Sequence, residues 1–265
     1  MSEILVLIKG GGDLGTGVAY RLRRAGMQVV VTELAQPTVI RRAVSLAEAV
    51  YEGEVVVEGL HGRLVPDAGT ARLALAAGLV PVLVDPRVDI TTELRPRAVV
   101  DARMAKRNLG TRLDEAQVVV GLGPGFMVGR DVHAVIETAR GHYLGRVHLS
   151  GEAAPNTGIP GSVGGESARR ILRAPTDGVF QAFKCIGDPV AEGEVVAQVG
   201  DRPIETRLSG VLRGILRDGL TVQRGMKVGD IDPRGVRDYC FTISDKALAV
   251  GGGVLEAILC LLSAR

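Results

Sequence analysis

The chain has 265 residues, of which 46% are hydrophobic and 23% charged, which is typical of a globular protein. Its formal net charge of +2 and its aromatic content of 3%, without Trp, argue against nucleic-acid binding, which requires a basic face or stacking aromatics. No apolar run reaches the about 18 residues that span a membrane, and the start of the chain does not resemble a secretory signal. We therefore expect a cytoplasmic protein that binds neither nucleic acid nor a membrane.

The first 33 residues have the pattern strand, glycine turn, helix, strand. Residues 4–8 are a short apolar run that ends at a glycine cluster, which predicts a buried strand. Residues 15–25 have apolar residues at helical spacing, and Gly26 is suited to the C-terminal end of that helix. Residues 28–32 are a β-branched run that predicts the second strand.

Strands and helices continue to alternate up to about residue 150. Further strands are predicted at 55–57, 80–84, 98–100 and 118–121, and helices at 38–51 and 69–77. The alternation favours an α/β fold class, with a Rossmann-like doubly wound parallel sheet. We assign this nucleotide-binding domain to residues 1–168, which includes a Gly- and Pro-rich segment, 151–166, as a linker or an ordered binding loop.

The next segment contains an internal repeat with an offset of 32 residues. Its matched pairs are Gly178/Gly210, Val179/Val211, Gly187/Gly219, Val190/Val222, Gly193/Gly225, Val196/Val228 and Val199/Ile231. Each half buries one face only, so the halves are expected to pack together. Over 169–234 we predict a small two-fold β barrel-sandwich that resembles the lipoyl/biotinyl module.

Carrier versions of that module present a Lys at the hairpin that joins the halves, whereas residues 200–203 are Gly-Asp-Arg-Pro. We therefore expect a structural or docking module that is not covalently lipoylated or biotinylated.

The remainder, 235–265, is predicted to be a C-terminal helical segment with Ser244 as its N-cap. Its triple glycine, 251–253, indicates close packing on another element or a break in the helix.

The motif with the clearest chemistry is a glycine loop between a predicted strand and a predicted helix, comprising Gly10, Gly11, Gly12, Asp13, Leu14 and Gly15. Its backbone N–H groups and the helix N-terminus suit a pyrophosphate. Glu33, at the end of the second strand, suits a ribose hydroxyl and disfavours the extra phosphate of NADP. A nucleotide or dinucleotide such as NAD is the expected cofactor. Asp13 departs from the pattern, and the alternative is a Rossmann scaffold without a ligand.

Two further groups follow predicted strands and are candidate cofactor-binding residues. They are Asp101, Lys106, Arg107 and Asn108, together with Gly121, Gly123 and Gly125. The first group could grip a phosphate or a pterin edge, and the alternative is a solvated loop. The second could form a backbone nest for an anion, and the alternative is a tight connection that needs glycine for steric reasons.

The sequence contains no Ser-His-Asp, paired-carboxylate or Walker motif that would indicate a reaction. The catalytic residues are therefore unknown, and whether the protein is an enzyme is left open. Cys240 and Cys185 are candidate thiols for carrying sulfur or selenium, although a buried apolar role is the commoner fate of a cysteine. The three cysteines lie far apart and the four histidines match no ligand spacing, so no metal site is expected.

Several segments together resemble a bacterial protein family. They are IKGGGDLGTGVAYRL, RRAVSLAEAVYEG, DARMAKRN, GLGPGF, NTGIPG, GMKVGDIDPRG and TISDKALAVGGGVLEAIL, spread from Ile8 to Leu259. They are similar to the YqeB-type accessory proteins of selenium-dependent molybdenum hydroxylases. The N-terminal part also resembles the Rossmann domain of xanthine dehydrogenase accessory proteins. The resemblance implies a maturation factor that handles a molybdopterin cofactor, such as molybdopterin cytosine dinucleotide, and whose partner is the hydroxylase apoenzyme.

Three hypotheses for function follow. The first is an accessory factor that binds molybdopterin cofactor or a nucleotide and assists cofactor delivery or selenium insertion. The second is a small NAD-dependent oxidoreductase, although no proton-transfer group stands out for it. The third is a nucleotide-sensing scaffold that docks a partner through the β module. A homo-oligomer is left open by the sequence.

Overall fold

The computed structural model of the chain describes residues 4–158 and 161–263. Residues 159 and 160 of the predicted Gly- and Pro-rich segment therefore lie outside the described residues. The chain folds as two compact units. Unit 1 comprises Met1–Pro37, Ser45–Thr157 and Ile243–Arg265, and unit 2 comprises Thr38–Val44 and Gly158–Thr242.

The helices and strands of the described residues have the following bounds. The strands are β1 Leu5–Lys9, β2 Gln28–Glu33, β3 Glu54–Val57, β4 Leu60–Leu64, β5 Val80–Val84, β6 Ala98–Asp101, β7 Val118–Leu122, β8 Ala134–Ile136, β9 Val147–His148, β10 Ile171–Arg173, β11 Gly178–Ala182, β12 Pro189–Val190, β13 Val195–Val199, β14 Arg202–Glu205, β15 Gly210–Ile215, β16 Thr221–Val222 and β17 Lys227–Asp232. The helices are α1 Asp13–Arg24, α2 Ala49–Glu52, α3 Ala68–Ala76, α4 Thr91–Leu94 and α5 Asp245–Ser263.

Unit 1 contains a nine-stranded sheet in the order β3-β4-β5-β2-β1-β6-β7-β8-β9. The strands from β4 to β8 in this order are parallel, whereas β3 pairs antiparallel with β4 and β9 antiparallel with β8. The central strands are apolar and buried on both faces, as expected of parallel strands. Because parallel strands end at the same edge of a sheet, the segments after β1, β2, β6 and β7 share one carboxyl edge.

The predicted fold class is wrong. The sheet of unit 1 is mixed rather than doubly wound and parallel, because an antiparallel strand closes each of its edges. Within the described ranges no α-helix connects β6 to β7 or β7 to β8, and the first connection holds only the 3-10 turn Leu113–Glu115. Helix α5 packs against β7, β8 and β9 instead. In a doubly wound sheet, the helices that connect successive strands would cover β7 and β8. Here α5, from the C-terminal part of the chain, covers them.

The helix predicted at 38–51 is also wrong. This segment forms two 3-10 turns, Arg42–Val44 and Leu46–Glu48, before the short helix α2. The Leu46 N–H donates to Thr16 Oγ1 at 2.9 Å and the Ala47 N–H donates to the Gly11 carbonyl at 2.9 Å. Because these N–H groups bond to the glycine loop and α1, they are not available for an α-helical ladder.

Unit 2 contains two four-stranded antiparallel sheets, β10-β17-β15-β12 and β14-β13-β11-β16. The repeat is visible in the strand bounds, since β15, β16 and β17 begin 32 residues after β11, β12 and β13. Two strands outside the repeat, β10 and β14, complete the sheets. In place of the predicted barrel-sandwich, this region forms two four-stranded antiparallel sheets whose buried residues belong to one hydrophobic core.

Helix α5 begins at its predicted cap, because Ser244 Oγ accepts the Ala247 N–H at 3.2 Å. The prediction that its glycines allow close packing is also confirmed. A Cβ at Gly251 would lie 2.6 Å from the Gly17 carbonyl oxygen of α1, and one at Gly253 would overlap the Gly145 carbonyl. By length and composition alone α5 could cross a membrane, but its inner face is buried in unit 1, as in the core helix of a globular fold.

The glycines of α5 provide a matched pair for a stability test. We expect Gly251→Ala to lower the free energy of unfolding by about 1–3 kcal/mol, because the added methyl group must displace the α1 backbone. Gly252→Ala has open space around its Cβ and should raise stability by up to about 1 kcal/mol through helix propensity. Urea unfolding measures both, and equal effects of the two changes would contradict the packing account.

Candidate functional site

The glycine loop lies at the carboxyl edge of the sheet of unit 1, between β1 and α1. Gly10 has φ +94°, its N–H donates to the Thr32 carbonyl at 2.8 Å, and a Cβ there would lie 3.2 Å from Arg103 Cα. Gly12 is the N-cap of α1 and, as a glycine, contributes no side-chain capping hydrogen bond. The N–H groups of the first turn face the glycine loop, as at any helix N-terminus. Asp13 and Leu14 are the first two residues of the helix.

Glu33 closes this loop from the end of β2. Its Oε1 accepts the Gly11 N–H at 2.7 Å and its Oε2 accepts the Leu34 N–H at 2.9 Å. Burial raises the pKa of the Glu33 carboxyl above its ordinary value, and the two N–H donors oppose that shift. Each carboxylate oxygen has a second lone pair, so the predicted ribose contact is compatible with this arrangement.

A buried polar network lies beneath the loops, and we call it the basal network. Its members are Lys9, Asp101, Arg103, Thr111 and Glu115. Lys9 Nζ donates to Thr111 Oγ1 at 2.7 Å and to Glu115 Oε2 at 2.5 Å. Asp101, which is 2% exposed, accepts from Thr111 Oγ1 and from the Arg103 guanidinium. Asp101 is therefore placed as an internal acceptor rather than as a group that faces a ligand.

Desolvation determines the ionisation behaviour of Lys9. Burial lowers the pKa of its ammonium group below the ordinary value, while the contact with Glu115 raises it in part. Sequence reasoning missed Lys9, Thr111 and Glu115 as members of this site. The one available signal was a Lys that ends an otherwise apolar strand, since a buried Lys requires a partner.

The loop after β6 crosses from the first glycine loop to the loop after β7. Met104 and Lys106 have φ of +56° and +60°, a conformation that costs a non-glycine residue of the order of 1 kcal/mol. At the far end, a Cβ on Gly125 would lie 2.6 Å from the Cα of Arg107. The loop is thus supported by glycines at both of its ends.

The cations predicted on this loop, Lys106 and Arg107, are both exposed. Neither forms an ion pair or a side-chain hydrogen bond within the part of the chain that the structure describes. Asn108 has a different role, because its Oδ1 accepts the N–H groups of Gly110 and Thr111 and its Nδ2 donates to the Thr111 carbonyl. Asn108 therefore shapes the loop, and the two cations remain available to a ligand.

The third predicted group surrounds the end of β7. Gly123 and Gly125 have positive φ, and the position of Gly121 is filled on its Cβ side by the ring of Phe126 at 2.6 Å. At each of these positions a side chain would be strained or would clash, so glycine is required for steric reasons. The loop after β7 also contacts the backbone of Lys106 and Arg107, because a Cβ on Gly125 would lie 2.6–2.8 Å from their backbone atoms.

The two candidate thiols both lie in unit 2. Cys185 is exposed, and its N–H donates to Asp188 Oδ2 at 2.8 Å. Cys240 is fully buried, and burial raises the pKa of its thiol, which disfavours the reactive thiolate. Among the described residues, no group of three or more His, Cys, Asp and Glu side chains gathers as a metal site.

No family model matches the chain. It is 50% identical over 258 residues to a protein of Escherichia coli (strain K12) named "Uncharacterized protein YqeB", and this match covers 97% of the chain. The chain spans about half of that relative, 48% of its length, and the relative's name states no activity.

Solved structures of partly similar shape include an aspartoacylase family protein from Mesorhizobium loti, with 11% identity, a TM-score of 0.29, and 87% and 85% of the two chains covered. A succinylglutamate desuccinylase from Silicibacter has 17% identity, a TM-score of 0.24, and coverage of 86% and 84%. The TM-scores are too low for any argument about chemistry.

The basal network should be a large contributor to the stability of unit 1. We expect Lys9→Met to lower the free energy of unfolding by about 3–5 kcal/mol, because it leaves the part-buried Glu115 without its cation and removes the donor to Thr111 Oγ1. The matched control is Arg112→Gln, which breaks an exposed ion pair with Asp114 in the same turn and should change little. A double-mutant cycle with Glu115→Gln measures the coupling, and a coupling near zero would contradict the network.

The raised pKa of Glu33 predicts a pH dependence. Because the folded chain retains this proton above pH 4.5, where the unfolded chain loses it, the stability that Glu33 contributes is fully present below pH 4.5. That contribution is lost as the pH rises through the raised pKa. The Tm of the wild type relative to Glu33→Gln should therefore fall as the pH rises from 4.5. Parallel curves for the two proteins would contradict the assignment, and exposed Glu54→Gln serves as the control.

Proposed function

We propose that unit 1 binds the phosphate of a nucleotide or dinucleotide at the carboxyl edge of its sheet, and that it does so as a cytoplasmic accessory factor. The proposed role is maturation of selenium-dependent molybdenum hydroxylases, by assisting delivery of the cofactor or insertion of selenium. The observation on which the proposal rests is the pair of exposed cations, Lys106 and Arg107, which form no ion pair among the described residues and lie on a loop that contacts the glycine loop at Gly10.

The electrostatics of the edge favour a particular arrangement of the ligand. The α1 N-terminus and the two cations attract phosphate, and charge-assisted hydrogen bonds to phosphate are about twice as strong as neutral ones. Glu33 places a carboxylate at the end of β2. An additional phosphate about 4 Å from this carboxylate would be opposed by about 4 kcal/mol at an effective dielectric constant of about 20. The expected ligand therefore presents a pyrophosphate to the loops and an unphosphorylated ribose to Glu33.

The maturation role is supported by the sequence segments that resemble the accessory family. Three of those segments lie at this edge, namely the glycine loop, the DARMAKRN loop and the GLGPGF loop. A molybdopterin dinucleotide contains the pyrophosphate and the ribose that the edge suits. When bound, such a cofactor would supply the molybdenum and selenium chemistry, while this chain would hold its phosphates and ribose.

The test is calorimetric titration of the full chain with NAD, NADP, CTP and molybdopterin cytosine dinucleotide. We expect micromolar binding of the pterin dinucleotide and weak binding of NAD. Lys106→Gln/Arg107→Gln should weaken binding by about tenfold or more, because two charge-assisted contacts are lost. Glu33→Ala should weaken ligands that contain ribose.

The matched control removes two exposed cations elsewhere in unit 1, as Arg63→Gln/Arg72→Gln, and should bind like the wild type. Tight binding of NAD alone would contradict the maturation role and favour the small NAD-dependent oxidoreductase. Absence of binding for every nucleotide would contradict the site itself. Binding that the Lys106 and Arg107 changes leave intact would place the phosphate elsewhere.

A further inference from the structure

The outer surface of the sheet β14-β13-β11-β16 in unit 2 is largely exposed, and we call it the bare face. Alternate residues along β11 point to the same side of the sheet, and on this side Val179 is 56% and Phe183 50% exposed. Residues directly opposite on the neighbouring strands share this side. The members of the bare face are Val179, Gln181, Phe183, Gln198, Pro203 and Thr221, all of them uncharged.

The 32-residue repeat places a counterpart of the bare face on the other sheet of unit 2, and we call it the covered face. Its members are Val211, Gly214, Asp230 and Asp232. Val211 stands at the repeat position of Val179, and it is only 4% exposed. Gly214 pairs with Asp230 beyond a bulge in β15, and it therefore takes the place of Gln181. The two halves of the repeat thus differ in whether their outer faces meet solvent.

The covered face is occupied by a segment of unit 2 from outside the repeat, Thr38–Val44. The Ile215 N–H donates to the Ile40 carbonyl at 2.9 Å, and Arg42 Nε donates to the Ile215 carbonyl at 2.9 Å. A Cβ at Gly214 would lie 2.9 Å from Ile40 Cγ2. The segment therefore lays an aliphatic side chain on the sheet and bonds to the backbone of β15. This contact shows what kind of chain the outer face of such a sheet can hold.

The two faces also differ in charge. Asp230 and Asp232 of the covered face pair with arginines of unit 2, and the covering segment itself carries two arginines. The bare face has Gln198 and Gly200 at the repeat positions of these aspartates. Gln198 Nε2 donates to Gln181 Oε1 at 2.8 Å, so these two amides bond to each other. Charge complementarity therefore favours an uncharged partner, because a charge placed there would lose hydration without gaining an ion pair.

The size of the bare face suits a single segment better than a second copy of the chain. Four strands about 4.8 Å apart, each of about five residues, give a face of about 300 Å². A stable dimer buries about 800 Å² on each partner. An extended segment of about five residues has the length of one of these strands and can cover the exposed apolar side chains.

We infer that the bare face binds an extended, uncharged segment of a partner protein that carries aliphatic or aromatic side chains at alternate positions. The segment would take the place that Thr38–Val44 occupies on the covered face, with Val179 and Phe183 as its apolar contacts. The surface uses residues of unit 2 only and goes beyond the nucleotide site proposed for unit 1.

The test is selection of random heptapeptides displayed on phage against the full chain, followed by fluorescence polarisation with the selected peptide in synthetic, dye-labelled form. We expect enrichment of uncharged peptides with apolar residues at alternate positions. Val179→Ser/Phe183→Ser should weaken binding of the selected peptide by about tenfold or more, because its apolar contacts are lost. Gln198→Asp introduces the charge found at Asp230, so it should also weaken this peptide and should enrich arginine-containing peptides when the selection is repeated.

Two controls separate the bare face from other apolar or binding surfaces. Leu73→Ser/Leu149→Ser removes two exposed apolar side chains from unit 1 and should bind the selected peptide as the wild type does. Lys106→Gln/Arg107→Gln should also bind it normally, so failure of the unit 1 site would leave this result unchanged.

The proposal would be overturned if the wild type enriched no peptide or enriched charged ones. Binding that Val179→Ser/Phe183→Ser leaves intact would have the same meaning. A wild-type dimer that this double change dissociates in analytical ultracentrifugation would also overturn it, because the occupant would then be a second copy. If the double variant does not fold, undiminished binding of the selected peptide to Gln198→Asp would decide against the bare face.

Discussion

The contact between α1 and α5 is made backbone to backbone, and the candidate site in unit 1 depends on it. A Cβ at Gly17 would lie 2.6 Å from the Ala247 carbonyl, and a Cβ at Gly251 would lie at the same distance from the Gly17 carbonyl. Arg21 Nε adds a hydrogen bond to the Leu248 carbonyl at 3.2 Å. Because α1 carries the glycine loop at its N-terminus and α5 lies on β7 to β9, this contact ties the loop to the far side of the sheet.

The carboxyl edge of the sheet is organised in two levels that follow different physical rules. In the lower level the charges are buried, so each must find a partner, and Asp101 and Lys9 are held by Thr111, Arg103 and Glu115. In the upper level the charges are exposed and water solvates them. Lys106 and Arg107 are therefore stable without protein partners among the described residues. The chain therefore separates the groups that fix the loop from those that a ligand can use.

Local features of the fold could be predicted from the sequence, and long-range ones could not. The first strand, α1, β2, the Ser244 cap and the 32-residue repeat are signalled by neighbouring residues or by a regular offset. The mixed sheet, the two antiparallel sheets and the position of α5 depend on pairings between distant segments. The partners of Lys9 lie 102 and 106 residues away, which no spacing rule reveals. A helix is predicted at 38–51, but the N–H groups of Leu46 and Ala47 bond to Thr16 and Gly11 instead.

The glycines themselves discriminate less between a ligand site and a bare scaffold than their pattern suggests. Gly10 approaches Arg103, Gly121 faces Phe126 and Gly125 lies under Arg107, so the packing alone would require each of them. A chain that had lost its ligand would retain these contacts, because they hold the loops together. These contacts give no reason for the positive φ of Met104 and Lys106, which costs free energy, beside two exposed cations that form no ion pair among the described residues. The cations on the DARMAKRN loop are therefore the stronger argument for a bound anion, and the glycine pattern is the weaker one.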